Sequence, residues 1–163
     1  MVSRYLTKEQ KVESRARATS LKLCRWCGLD VHQYSKRRRT FCSDECVHEF
    51  RIRSSSSYMR IFIAKRDKYT CQICGLDCRG FIRKLKRFVG YVFGDVKRNK
   101  EEEFFQQYGM EWVNTKNRST FYDVDHLIPV IKGGAQCGED NLRLLCLSCH
   151  RIETAKLRKE LAK

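Results

Sequence analysis

Asp125, His126 and His150 are the residues of this chain whose types and spacing best suit chemistry. Asp125 and His126 are consecutive in Phe121-Tyr122-Asp123-Val124-Asp125-His126, and His150 directly follows Cys146-Leu147-Ser148-Cys149. A carboxylate holds a divalent cation through oxygen, and an imidazole that is largely neutral near pH 7 can take a proton from water. His150 is a second candidate ligand, tied in place by the adjoining cysteines. With Asn141 between the two histidines, the grouping suits metal-assisted attack on a phosphodiester. Mixed oxygen and nitrogen ligands suit Mg²⁺ or Mn²⁺ carrying several waters. The plainer reading is that both histidines are buried or belong to zinc sites. It leaves the Asp-His pair, Gly133-Gly134 and the placing of Asn141 without a reason.

These residues need elements to bring them together. Residues 121–126 alternate as a short strand should, and Pro129 with Gly133-Gly134 marks a departure into a loop. Asn141 to Cys146 reads as a returning strand, with Leu142 and Leu144 opposite Asn141 and Arg143. From Cys149 a helix is expected through about Leu161, with His150 in its first turn. This ββα order would gather Asp125, His126, Asn141 and His150. Arg143 and Arg151 lie near the chemistry, and Lys156, Lys159 and Lys163 share a helical face. We expect Arg143, Arg151, Lys156 and Lys159 to bind phosphates and to give a salt-dependent affinity.

Cysteine spacing supplies the scaffold. Cys24-x-x-Cys27 with Cys42-x-x-x-Cys46 fits a closed four-thiolate zinc site, with Gly28 turning the first knuckle and Ser43 capping a helix. Cys71-x-x-Cys74 pairs naturally with the distant Cys146-x-x-Cys149, so a second structural zinc would pin the two ends of one module. Cys78 is a rival ligand near Cys74, and Cys78 and Cys137 are otherwise free thiols. His48 could compete with Cys46, although an exposed helical histidine is the expected state. The chain thus divides into a charged segment 1–22, a zinc module 23–53 and a nuclease domain 54–163 with a helical insert at about 79–120. In that insert Phe81, Ile82, Leu85, Phe88, Val89 and Val92 recur at helical spacing against Arg79, Arg83, Lys84, Lys86 and Arg87. It is either a packing helix with a solvated face or a basic helix laid along DNA. Phe104, Phe105, Tyr108 and Trp112 are expected to fill a core.

The chain of 163 residues has a formal charge of +15, from 34 basic and 19 acidic residues, which points to a polyanionic partner. The amino terminus has no apolar run that could act as a signal peptide, and no stretch could span a bilayer. Ten cysteines in such a chain are expected in a reducing, intracellular compartment, where they hold metal rather than form disulfides. Lys36-Arg37-Arg38-Arg39 would serve as a phosphate contact, a nuclear import signal or a solvated run.

Asp125-His126, Gly133-Gly134, Asn141-Leu142 and Cys146-x-x-Cys149-His150, preceded by Arg66-Asp67-Lys68-Tyr69-x-Cys71-x-x-Cys74-Gly75, resemble the HNH endonuclease family from about Tyr58 to about Lys156. The stretch from Cys42 to Arg60 further resembles the carboxy-terminal nuclease region of the eukaryotic zinc-finger Ran-binding annealing helicases. The resemblance implies an α+β fold: a ββα-metal, treble-clef-like nuclease core with helical additions and the amino-terminal four-cysteine zinc module. It implies His126 as general base, Asp125 and His150 as ligands of one catalytic divalent ion, and Asn141 either orienting His126 or completing the metal shell. It further implies two structural Zn²⁺, and DNA, branched or fork-like, as substrate in replication or repair. A helicase or repair-complex protein is the implied partner, and the nucleus the location in a eukaryote. Two other function classes use the same residues: a non-catalytic zinc module that binds DNA or RNA, and a protein-docking module centred on residues 24–50.

Overall fold

The computed structural model describes residues 5–115 and 118–162, so Lys163 lies outside the described residues. The chain forms two compact units, Met1–Phe62 with His126–Leu142, and Ile63–Asp125 with Arg143–Lys163.

The first unit opens with α1 (Lys8–Leu21), where the sequence left helix and disorder equally open. Its start is a capping box: Thr7 Oγ1 accepts from the Gln10 N–H at 3.2 Å, and Gln10 Oε1 accepts from the Thr7 N–H at 2.8 Å. The knuckle follows. The Cys24 N–H donates to the Leu29 carbonyl at 2.6 Å and the Gly28 N–H to the Cys24 carbonyl at 3.1 Å. Gly28 sits at φ +77°, the left-handed backbone that favours glycine. Ser43 caps α2 (Asp44–Ser54) as expected, accepting from the Cys46 N–H at 3.2 Å, with Asp44 and Glu45 in the first turn. The serine run breaks the helix at Ser55, and α3 (Ser56–Arg66) begins within that run.

His48 departs from expectation. It is half-buried, its Nδ1 lies 3.0 Å from the Tyr58 hydroxyl, and its ring centroid is 4.4 Å from that of Phe62. Tyr58 and Phe62 stand one turn apart on α3, so they form an aromatic stripe that covers the imidazole. Spacing along α2 alone could not reveal that cover.

The second unit repeats the knuckle. The Cys71 N–H donates to the Leu76 carbonyl and the Gly75 N–H to the Cys71 carbonyl, both at 2.9 Å, with Gly75 at φ +72°. Just ahead, Lys68 and Tyr69 take positive φ without being glycine, a conformation that costs roughly 1–2 kcal/mol per residue. Asp67 justifies the turn: its Oδ2 accepts from the Leu144 N–H at 2.8 Å, while the Leu144 carbonyl accepts from the Gln72 N–H at 2.9 Å. The knuckle is thereby fastened to the second strand.

Asp77 caps α4 (Cys78–Val89), accepting from the Arg79 and Gly80 N–H groups at 3.0 and 2.9 Å. Phe81, Ile82, Leu85 and Val89 are buried, as the packing reading requires, and α5 (Gly94–Gln107) adds Phe104 and Phe105. These rings close around Phe121, whose centroid lies 4.3 Å from that of Phe81. Two insert positions differ from the predicted stripe. Phe88 is exposed, and Val92 lies past the helix, because the chain leaves α4 at Gly90 with φ +67°. Tyr108 is also partly exposed. Within the same core, the buried Glu101 carboxylate accepts from Trp112 Nε1 at 3.2 Å and Thr115 Oγ1 at 3.1 Å. Glu101→Ala would leave those donors without their acceptor. We expect a loss of about 1–3 kcal/mol in urea unfolding, and an unchanged midpoint would refute this pairing.

Strands β1 (Tyr122–His126) and β2 (Leu142–Cys146) pair into a two-stranded sheet, and α6 (Leu147–Leu161) follows directly. The class is α+β, and the order is ββα. A 3₁₀ turn at Glu139–Asn141 delays β2 to Leu142. The helix starts two residues earlier than Cys149 because Cys146 caps it, its Sγ accepting from the Cys149 N–H at 3.4 Å. Among the described residues no helix is long and apolar enough to cross a membrane.

Candidate functional site

Cys24, Cys27, Cys42 and Cys46 bring their sulfurs within 4.8 Å of one another, and so do Cys71, Cys74, Cys146 and Cys149. Sulfurs bound to zinc at about 2.3 Å occupy tetrahedron corners about 3.8 Å apart. The separations are 3.5 Å for Cys27–Cys42, 3.6 Å for Cys42–Cys46 and 3.8 Å for Cys74–Cys146. Donor type, number and spacing therefore suit a structural zinc in each tetrad. A sulfur–sulfur interaction with Cys146 draws the Cys71 thiol below its usual value, against the opposing effect of burial. Cys78 stands outside the tetrad. Burial pushes its thiol up to about 12, and its Sγ donates to the Leu76 carbonyl at 3.5 Å.

In the first unit the loop leaving His126 is closed by Asn141. Asn141 Oδ1 accepts from the Ile128 N–H at 2.7 Å, and its Nδ2 donates to the carbonyls of Ile128 at 3.1 Å and Gly134 at 3.2 Å. Its main-chain carbonyl accepts from the Leu127 N–H at 2.9 Å. The side chain is a clamp across the loop. The paired glycines serve it for different reasons. Gly133 supplies φ +92°, whereas a Cβ on Gly134 would stand 1.8 Å from the Ile128 carbonyl oxygen. Further along, Arg53 of α2 grips the same loop. Its Nε donates to the Gln136 carbonyl at 2.9 Å, and a Cβ on Gly138 would lie 3.1 Å from its Nη2. Glu49 and the Trp26 ring, 4.6 Å away, fix the guanidinium. The amino-terminal zinc module thus holds the loop that carries Asn141.

In the second unit the half-open side of β1 carries the charge. Burial alternates along the strand, with Tyr122, Val124 and His126 buried and Asp123 and Asp125 half-buried. Consecutive as they are, Asp125 and His126 take opposite sides of the strand. Arg143 on β2 donates to Asp125 Oδ2 at 3.0 Å and to Glu153 Oε2 at 3.0 Å. Burial opposes the Arg143 charge, but the two carboxylates outweigh it and raise its pKa. Hydrogen bonds from Lys156 and then Arg143 hold Glu153 below the usual carboxylate range. His150 Nδ1 lies 3.6 Å from Asp123 Oδ2, and Arg118 Nη1 lies 3.1 Å from the same oxygen.

Two of the four anticipated phosphate contacts are engaged by carboxylates. Arg143 is half-buried between two carboxylates, Lys156 pairs with Glu153 at 2.8 Å, and Arg151 and Lys159 are exposed. Sequence reasoning passed over Asp123, Glu153 and Arg53. Asp123 had a signal, since a residue two before Asp125 on a strand shares its face. Glu153 had a weaker one, a single helical turn beyond His150. Arg53 had none, because its carbonyl partner is 83 residues away.

Comparison with known proteins places these elements. The chain is 32% identical over 153 residues to the DNA annealing helicase and endonuclease ZRANB3 of Bos taurus, covering 85% of this chain and 14% of that protein. The Mus musculus protein of the same name is 33% identical over 129 residues, covering 74% and 11%. The chain therefore spans about a seventh or less of the length of the curated relatives it matches. No solved structure matches it. The HNH endonuclease family model matches residues 114–156, a span that opens ahead of β1 and closes within α6. The ββα element is the part that this model describes, and over residues 114–156 the chain matches the HNH endonuclease family.

Proposed function

We propose that the chain is a metal-dependent DNA endonuclease that hydrolyses phosphodiester bonds and selects DNA by structure rather than by base sequence. The observation that carries this reading is the half-open side of β1 inside the HNH domain, where Asp123 and Asp125 stand together and His150 adjoins Asp123. Asp125 and His150 would hold the Mg²⁺ or Mn²⁺ ion, with Asp123 as a further carboxylate within reach of His150. Hard oxygens with one imidazole nitrogen are a donor set that such ions accept. Bound there, the ion would offset charge on the scissile phosphate and the departing 3′ oxygen.

The remaining work falls to the protein's own groups. In this reading His126, the last residue of β1, turns its imidazole at the strand's end toward the half-open side and takes the proton of the attacking water, which requires the neutral ring. Asn141 keeps the loop after His126 closed, so the imidazole leaves β1 at a fixed place. Arg143 balances Asp125 and Glu153 when the cation is away. The products would carry a 5′ phosphate and a 3′ hydroxyl. The relatives' name joins annealing helicase to endonuclease, and a charge of +15 suits DNA. Branched or fork-like DNA in replication or repair is therefore the proposed substrate. A helicase or repair protein is the proposed partner, and the nucleus the proposed location in a eukaryote.

Cleavage of a panel of supercoiled, linear and branched DNAs with Mg²⁺ or Mn²⁺ tests the reading. His126→Ala should lower cutting by about 10²–10⁴-fold, the range of a general base, and leave DNA affinity intact. A mutant that cuts like the parent would remove His126 from this role. One observation favours a second reading, a non-catalytic zinc module: Asp125 is already satisfied by Arg143. DNA binding with no cutting by the parent, across metals and shapes and with a helicase partner supplied, would establish that reading instead.

A further inference from the structure

The α4–α5 hairpin lies outside the residues that the HNH family model matches, and it presents an unusual surface. At its tip, Gly90 and Gly94 at φ +67° and +58° reverse the chain around Tyr91-Val92-Phe93. Tyr91 is fully exposed and Phe93 is 85% exposed. Phe88, at the end of α4, is 37% exposed and packs against Phe104, with the ring centroids 5.4 Å apart. The same core buries Phe81, Phe104, Phe105 and Phe121, so the fold had aromatic cover to offer and left Tyr91 and Phe93 in water.

Cations line the helix that leads to them. Arg83, Lys84, Lys86 and Arg87 are exposed on α4 and have no ion-pair partner among the described residues. The helix itself contains no acidic residue. Beside the tip is a recess of about 640 Å³ with an apolar wall of Ile82, Leu85 and Val89. Lys86, Arg87 and Tyr91 also line it. Its volume lies within the roughly 300–1,000 Å³ of pockets that hold small ligands.

Apolar rings set among unpaired cations fit one kind of partner better than others. Duplex DNA offers phosphates but keeps its base faces stacked, so solvent-facing rings gain little from it. A single strand offers both phosphates and open π-faces, and binding without base readout uses rings together with a basic track. We infer that the α4–α5 hairpin is a binding site for unpaired DNA, with Tyr91 and Phe93 stacking on bases and Arg83, Lys84, Lys86 and Arg87 following the backbone. An anionic membrane surface shares the charge requirement. It is disfavoured because the exposed rings are confined to a short tip and not spread along a helix face.

The test is fluorescence anisotropy with a labelled oligothymidine and a labelled duplex, using the full zinc-loaded chain without added Mg²⁺ or Mn²⁺. Binding is thereby read apart from cleavage, and loss of the nuclease reading would not disturb it. Tyr91→Ala and Phe93→Ala should each weaken single-strand binding by about fivefold or more, with duplex binding and the salt slope unchanged. Tyr91→Phe and Phe93→Tyr should retain it, because a ring is all that stacking needs. Replacing Arg83 and Lys84 by Gln should reduce the salt slope by about 0.7 per lost phosphate contact. Both rings are solvent-exposed, so unchanged circular dichroism and zinc content will certify the folded state. Single-strand affinity that survives both alanine changes overturns the proposal. So does equal loss on duplex and single strand, or a loss seen only on vesicles containing phosphatidylserine.

Discussion

Cys149→Ser is expected to unfold the second unit and to lower zinc content from two ions per chain to one. The ligand pairs of this tetrad come from a knuckle at residues 71–74 and from the start of α6 at 146–149. One ion would therefore hold together elements at opposite ends of the unit's chain. Structural zinc in such sites contributes about 10–16 kcal/mol, comparable to the roughly 5–15 kcal/mol that separates folded from unfolded in whole domains. Fastening of Leu144 by Asp67 and Gln72 cannot replace a term of that size. The measurement is metal content by mass spectrometry together with near-ultraviolet circular dichroism. Cys78→Ser provides the control and should keep both ions, since Cys78 lies outside the tetrad. A Cys149→Ser protein that keeps two zincs and its aromatic dichroism would show that the tetrad does not hold this unit together.

Gly134→Ala should nearly abolish cutting while sparing the fold of the second unit. An alanine Cβ would overlap the Ile128 carbonyl oxygen at 1.8 Å and press on Asn141 Nδ2 at 2.8 Å. The obstacle is backbone, which no side-chain rotation relieves, so the loop must open and the Asn141 clamp must let go. His126 lies two residues before Ile128, at the root of that loop. Displacement of about 1 Å in a catalytic group costs on the order of 10²-fold in rate. Gly133→Ala meets no atom and costs only its left-handed φ, roughly 1–2 kcal/mol, so it should retain most activity. Turnover and DNA affinity measured for both variants decide the matter. Equal activity in the two would mean that the clamp does not position the imidazole.

The placing of Arg53 changes how the amino-terminal zinc module is understood. Its closed cysteine set offers no open coordination position and so points only to stability. Yet Arg53, fixed against Trp26 of that module, holds residues 136–138 of the loop between the strands. The amino-terminal four-cysteine cluster thus supports the Asn141 loop, and it does so within the first unit alone.

Much was legible in the amino-acid order. The two cysteine tetrads, the ββα succession and the buried stripe of α4 all follow from spacing along the chain. Ligand pairs separated by two or three residues, strand alternation and helical period are local geometry, and covalent connection enforces them. The Asp-His pair and the double glycine stood out for the same reason. Periodicity tells which residues share a face but not what meets that face. Tertiary structure alone set Arg143 against Asp125 and Glu153, and Asp123 beside His150. It covered His48 with Tyr58 and Phe62, tied Arg53 to a carbonyl far along the chain, and left Tyr91 and Phe93 in solvent. Each of these depends on which distant segment arrives to satisfy a buried polar group or to cover a ring, and only the packed chain decides that.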